Sequence, residues 1–309
     1  MRFGLHVSIA GGVARAPERA AGLGCDCFQV FAGPPRSRAR ATPSPAEVEE
    51  FRRLVRKFGL SPVVVHAGYL LHLVSPRPEV ARASRALLAR ELEIARLLGV
   101  DFYILHPGSA GDSREKSVDA LARTLSEVTG DSSADDSPAV LIENSAHRSS
   151  GIGARFEELD EILGRLGGGD RYGVCFDTAH AVGAGYDLAS GAGVRRTVAE
   201  LFDAVGPKAV RLIHANDSRA PAGSGRDLHE RVGAGAVGRE GFRALLAEER
   251  LLGLPFILET PVDRPGDDRR NLATLRRLAG AGCLPDKQAH NQARRPPSAV
   301  RKRRAGQGK

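Results

Sequence analysis

Eight short β-branched and aromatic runs alternate with longer helical stretches along the chain, and this alternation limits the available folds more than any other feature. The runs are RFGLHVS near residue 2, CFQVF near 27, PVVVH near 62, DFYILH at 101, AVLIEN at 139, YGVCFD at 172, AVRLIHA at 209 and PFILET at 255. Between them lie helical patterns such as PAEVEEFRRLVRKFG, RASRALLARELEIARLLG and FRALLAEERLLG. Several of these end in Gly just before the next strand, as a helix C-cap should. Strands that alternate with helices predict a parallel sheet. Eight such units in about 250 residues is the size of a closed β/α barrel. The expected fold class is therefore α/β, a single-domain (β/α)8 TIM barrel. A doubly wound open sheet would need a Gly-rich dinucleotide turn after a strand. The segment SIAGGVARA after the first run is Gly-rich but lacks the GxGxxG spacing.

A chain of 309 residues is long enough to build one such barrel around a substantial core. No basic stretch followed by an apolar run opens the chain, and no apolar stretch approaches a membrane span. A cytoplasmic address, with no membrane partner, is the expectation. The net charge of +8 suggests nucleic acid until it is located. The last 24 residues, from Asp286, hold eight basic side chains and one acidic, while the remaining 285 hold 37 and 36. The barrel is thus nearly neutral, and any affinity for DNA there must come from local charge placement. These numbers divide the chain into a barrel over 1–285 and a disordered basic tail over 286–309. The stretch TGDSSADDSP before the fifth run reads as a polar loop.

The four cysteines, Cys25, Cys27, Cys175 and Cys283, form no CxxC pair and suit neither a disulfide framework nor a thiolate zinc site. Cys25, Cys27 and Cys175 lie in or beside apolar runs and read as small buried side chains.

The chemistry stands at the C-terminal ends of the runs. Run three ends at His66, run four at His106, run five at Glu143 and run six at Asp177, with His180 three residues on in DTAH. Run seven ends at His214, and the following loop supplies Asp227 and His229 in GRDLHE. Run eight ends at Glu259. In a barrel, strand C-termini converge on one face. Five histidines and four acids without a cysteine favour zinc, with manganese or iron compatible. Nine donors exceed the needs of one ion, and shared carboxylates would accommodate two or three, the usual device for activating water against a phosphodiester. A lone strand-end histidine is more often a hydrogen-bonded core residue than a ligand. Six consecutive runs ending in a ligand type is what carries the reading. His6 ends the first run and faces the same mouth, beside the metals or against substrate. His72 is read as structural or near DNA; His147 and His290 are read as non-ligands.

These segments resemble the endonuclease IV family of zinc-dependent apurinic/apyrimidinic endonucleases. GLHVSIAGG, VVHAGYL, ILHPGS, LIENSA, VCFDTAHAVGAGYD, IHANDS, GSGRDLHERVGAGAVG and FILET carry the resemblance, in family order from about residue 3 to 260. It implies a xylose-isomerase-like barrel holding three zinc ions, with Mn2+ compatible at one or more positions. His66, His106 and Glu143 would hold the first ion; Glu143, Asp177, His214 and Glu259 the second; His180, Asp227 and His229 the third. It implies cleavage 5′ to abasic sites by metal-activated water, leaving a 3′-hydroxyl and a 5′-deoxyribose phosphate, together with trimming of blocked 3′ ends. Glu259 would orient or deprotonate the water, and Glu143 would be the shared catalytic carboxylate. The implied partner is double-stranded DNA with abasic sites or blocked 3′ ends, and the implied state is a nucleoid-associated monomer.

The resemblance also places Arg36, in FAGPPRSRAR, and Tyr69 with Leu70 where family members wedge into the duplex around a flipped-out sugar. A Tyr face for stacking, a Leu wedge and phosphate contacts from Arg36, Arg38 and Arg40 would serve that purpose. The chain departs from the family at three places. Gly33, Pro34, Pro35, Arg36, Ser37 and Arg38 stand for Lys-Asn-x-Arg-x-Trp, Leu228 for an Arg, and Gly233, Ala234 and Gly235 for Gly-Glu-Gly. None of these is one of the nine donor positions. Two other functions compete: a metal-dependent sugar isomerase or epimerase on a related barrel, and a non-catalytic DNA-binding protein acting through the RKRR tail. The number of donors argues against the first and their completeness against the second.

Overall fold

Eight parallel strands close on themselves in a computed structural model that describes residues 1–109, 113–130, 137–149 and 151–280. The basic tail, with Cys283 and His290, lies outside the described residues, as does most of the polar loop before the fifth strand. The first half runs β1 (Arg2–His6), α1 (Ala16–Leu23), β2 (Cys27–Phe31), α2 (Pro45–Phe58), β3 (Val63–His66), α3 (Pro78–Leu98), β4 (Phe102–Leu105), α4 (Arg114–Thr129) and β5 (Ala139–Glu143). The second half runs α5 (Phe156–Arg165), β6 (Tyr172–Asp177), α6 (Thr178–Ala184), α7 (Gly191–Val205), β7 (Val210–His214), β8 (Asp217–Ser218), β9 (His229–Glu230), α8 (Gly238–Ala247), β10 (Pro255–Leu258) and α9 (Asp267–Leu278). Strands β1 to β7 and β10 form the closed barrel, with β10 returning to pair with β1. Strands β8 and β9 make a separate two-stranded antiparallel ribbon over its mouth.

Local signals explain the helices. Ser44 and Glu47 form a reciprocal capping box at the start of α2. Helices α2 and α3 stop at Gly59 and Gly99, whose φ values of 63° and 67° are left-handed. One expected helix is shorter than its periodicity suggests. Helix α8 ends at Ala247, Glu248 turns extended, and a 3-10 turn over Glu249–Leu251 carries Leu251 into the core.

The barrel interior is built in tiers. Cys27, Val64, Ile104, Leu141, Cys175, Leu212 and Ile257 meet as one buried cluster inside the barrel, separate from the larger layer between strands and helices. Gly4 completes this floor on β1, where a Cβ would collide with the Cys27 carbonyl oxygen. Side chains alternate across a strand, so the next inward position lies two residues on. Those positions are His6, Gln29, His66, His106, Glu143, Asp177, His214 and Glu259, a polar tier resting on an apolar floor.

Candidate metal centre

The polar tier and the loops above it bring all nine expected donors together. His66, His106, His180, Asp227, His229 and Glu259 line a cavity of about 410 Å³ at the barrel mouth. Glu143, Asp177 and His214 are fully buried beneath it. Donor atoms lying within 4.8 Å of one another form the groups His66–His106–Glu143, Glu143–Asp177–His214–Glu259 and Asp177–His180–His229. Asp227 stands 3.1 Å from Nε2 of both His180 and His229, which adds it to the last group. A further group, His66–His214–Glu259, overlaps the first two, so the donors form one continuous cluster.

The two loop motifs have simple local causes. Asp177 ends β6 and caps α6, its Oδ1 accepting from the His180 N–H at 2.8 Å. That turn returns the His180 ring to the cavity. In the ribbon, Ser218 pairs with His229, which fixes the loop that carries Asp227. The ribbon is anchored by the buried Asp217 carboxylate. It accepts from the N–H groups of Gly233 and Gly235 at 2.9 Å, of Val237 at 2.8 Å and of Ser218 at 2.9 Å. A Cβ at Gly235 would collide with the Ser218 carbonyl oxygen, so only glycine allows this approach.

The histidine tautomers suit cation binding. His66 Nδ1–H donates to the Ala67 carbonyl at 2.9 Å, His180 Nδ1–H to the Asn144 carbonyl at 2.9 Å and His229 Nδ1–H to the Glu259 carbonyl at 3.1 Å. These tautomers are assigned from the acceptors, and each leaves Nε2 directed at the carboxylates. His214 is reversed: Nε2–H donates to Gln29 Oε1 at 2.9 Å, and Nδ1 faces Glu143 at 2.8 Å. His229 Nε2 is buried and lies near Asp227 but out of hydrogen-bonding direction, leaving it without a hydrogen-bond partner among the described residues. Imidazoles pinned through one nitrogen, with the other aimed at shared carboxylates, fit a set of divalent cations.

The electrostatics agree. Burial alone would raise the Glu143 carboxyl, but His106 and His214 outweigh it and hold it well below the usual range. Burial acts likewise on Glu259, where His214 and the nearby His6, 3.7 Å away, prevail. Asp227 is also held low, burial being overcome by its contacts with His180 and His229. Burial opposes protonation of His229, but Asp227, Asp177 and Glu259 raise it to about 9. Burial opposes protonation of His66 and His180 as well, and their neighbouring carboxylates raise both. His6 and His106 differ: burial lowers both, His106 to about 4.

Three polar residues that the strand-end pattern does not single out complete the centre. Gln29 Nε2 donates to Glu259 Oε1 at 2.6 Å and meets His6 Nδ1 at 3.0 Å. Asn216 Nδ2 donates to Asp177 Oδ2 at 2.6 Å and to Glu259 Oε2 at 3.2 Å. Asn144 Oδ1 accepts from the Asp177 N–H at 2.6 Å. The signal for Gln29 is its place two residues after Cys27 in an otherwise apolar run. Asn144 and Asn216 follow the donors in IENS and HAND. Cys175 lies beside Glu143 and His214, but burial pushes its thiol up to about 12, so it stays protonated as part of the floor. Cys25 and Cys27 are buried free thiols. His72 and His147 are exposed and belong to no donor group among the described residues.

Around the mouth, Tyr69 is 58% exposed and its ring sits 5.5 Å from that of Phe31, which in turn lies 4.2 Å from the His6 ring. Leu70 is half-buried beside it, and Arg36 and Arg38 are exposed on the neighbouring loop. Arg40 corrects an expectation. Its side chain is fully buried and its Nε donates to Glu91 Oε1 at 2.8 Å, so it is closed to any phosphate.

Fold and donors together describe a barrel with a candidate metal site at its mouth, and the family model for the xylose isomerase-like TIM barrel matches residues 17–278. A probable endonuclease 4 from Methanoculleus marisnigri is 38% identical over 279 residues, covering 90% of this chain and 99% of that protein. The crystal structure of endonuclease IV from Thermus thermophilus is 40% identical, with a TM-score of 0.79 over 90% of this chain and 98% of that one. The chain belongs to the endonuclease IV family. A D-tagatose 3-epimerase-like protein superposes with a TM-score of 0.65 at 20% identity over 90% of this chain and 97% of that one, a likeness of fold alone. Among the described residues no helix is long and apolar enough to cross a membrane.

Proposed function

We propose that this protein is a DNA-repair nuclease that cuts the phosphodiester 5′ to abasic sites, leaving a 3′-hydroxyl and a 5′-deoxyribose phosphate, and that also trims blocked 3′ ends. The observation that carries this reading is the convergence of nine donors in overlapping groups beneath an exposed Tyr69. Three divalent cations, zinc foremost and manganese compatible, would be held by His66, His106 and Glu143; by Glu143, Asp177, His214 and Glu259; and by His180, Asp227 and His229. When bound, they supply an activated water and neutralise charge on the phosphoryl oxygens and the leaving group.

The chain's own residues do the rest. Glu259 is fixed by Gln29 and Asn216, so as a carboxylate it orients the attacking water and accepts its proton. Glu143, reached by His66 at 3.0 Å and His214 at 2.8 Å, ties two of the groups together. His6 presents its free edge to the same cavity and serves as a substrate contact. Tyr69 and Leu70 stack and wedge at the gap left by a missing base, and Arg36 contacts a phosphate. Leu228 lines the cavity in place of an arginine, so the flanking phosphates depend more heavily on the exposed loop cations.

Metal analysis of purified protein, paired with cleavage of a duplex carrying an abasic analogue, tests this. The expected result is about three ions per chain and a nick 5′ to the lesion. Active protein holding one ion or fewer overturns the three-ion reading. Absence of cutting with full metal overturns the function.

A further inference from the structure

A buried ion pair lies under the loops that flank the cavity, and its outward bonds go almost entirely to those loops. Arg40 and Glu91 side chains are both inaccessible. Arg40 Nη1 donates to the carbonyls of Pro34 at 3.0 Å, Ser37 at 2.5 Å and Ala39 at 3.1 Å. Glu91, reaching up from α3, accepts from the Gly68 N–H at 3.3 Å and from the Tyr103 hydroxyl at 2.7 Å. The two loops are also joined directly, the Tyr69 N–H donating to the Pro35 carbonyl at 3.1 Å. Gly33 and Gly68 both pass so close to Arg40 that a Cβ at either would collide with its side chain.

A buried ion pair is weak evidence for stability, because apolar replacements of similar size are often neutral or better. Here the guanidinium directs three bonds to one loop and the carboxylate one to the other. That pattern serves geometry between loops. The tips so held are Arg36 and Tyr69. Both are exposed, and Arg36 makes no ion pair among the described residues.

We propose that Arg40 and Glu91 are positioning residues for the substrate duplex, presetting the spacing of the Arg36 loop and the Tyr69–Leu70 loop before DNA arrives. This rests on the nuclease reading. Loops held ready in the free protein incur a smaller ordering cost on binding. Loss of the clasp therefore acts on duplex affinity and leaves the metal centre intact.

Glu91→Gln and Arg40→Lys in the full chain test the proposal, with Leu201→Ala, on α7, reporting what lost stability alone does. KM for a duplex with a tetrahydrofuran abasic analogue is expected to rise about tenfold or more in both clasp variants, with kcat within about threefold. Metal content and the rate on bis(p-nitrophenyl) phosphate, which needs no duplex grip, are expected to stay at the parent level. Leu201→Ala lowers Tm and leaves KM unchanged. Amide hydrogen exchange over 33–40 and 67–71 is expected to quicken about tenfold in Glu91→Gln. An unchanged KM, a parallel fall on both substrates or unaltered exchange in those loops overturns the clasp. A parent protein that cuts no abasic duplex overturns the nuclease reading instead, and the exchange data still decide whether the pair holds the loops.

Discussion

Gln29 Nε2 and Glu259 Oε1 lie 2.6 Å apart, joining strand β2 to the end of β10 past the intervening β1. The same Gln29 side chain accepts from His214, so one neutral amide orients two expected ligands. Gln29→Leu keeps the volume and removes these bonds together with the contact to His6. Activity is expected to fall about 10–100-fold with weaker metal retention, as for other partners of metal ligands. Unchanged turnover and metal content in a folded variant would remove Gln29 from the centre.

Glu259→Gln retains size and loses the charge. If Glu259 orients and deprotonates the water as proposed, the substitution should lower kcat by about 10²–10⁴. Duplex binding is expected to persist. Single-turnover cleavage with metal content measured on the same samples checks this, and a variant that cuts at near-parental rate with full metal excludes the role.

Asp217→Ala releases the backbone N–H groups of Gly233 and Gly235 in a part-buried loop and of Val237, which is buried. The expected cost is about 3 kcal/mol or more. Because the ribbon it anchors sets His229, metal loss should strike the His180–Asp227–His229 group first. Chemical denaturation and metal stoichiometry read the two effects, and loss of all ions together would contradict the local assignment.

Acidity should act oppositely on the stripped and loaded protein. In the metal-free chain the His229 value is raised from 6.5 to about 9. Its stabilisation is therefore fully present below pH 6.5 and is lost as pH rises through about 9. Cations compete with those protons, so the loaded protein gains from rising pH over the same window. Melting curves with and without chelator should diverge as pH rises; parallel curves would refute the coupling.

Removing the residues after Pro285 deletes eight basic side chains. The tail is expected to act as a non-specific tether, so cutting persists at low salt. The slope of log affinity against log salt should become shallower by about 0.9 for each lost phosphate contact. Loss of cutting at low salt would give the tail a larger part.

The strand runs and the donors at their ends were legible because each rests on local pattern: a burst of β-branched residues, then one polar group where the strand leaves the barrel. Gln29 was hidden because it sits within its run, and only the register of the closed barrel shows that it faces the donors. Arg40 was misread for a related reason. Its partner Glu91 lies 51 residues away, and nothing in an arginine-rich loop separates the buried cation from the exposed Arg36 and Arg38. The Asp217 anchor likewise depends on a loop that returns to it from 16 to 20 residues on.

The tiered interior has a consequence for how such a centre tolerates change in length. Each strand donor stands two positions beyond its floor residue, so what matters is parity. Insertion or deletion of one residue between floor and donor would turn that donor outward toward the helices, while the loops beyond could grow without disturbing it. The chemistry of this barrel is thus written in a counting rule as much as in residue identity.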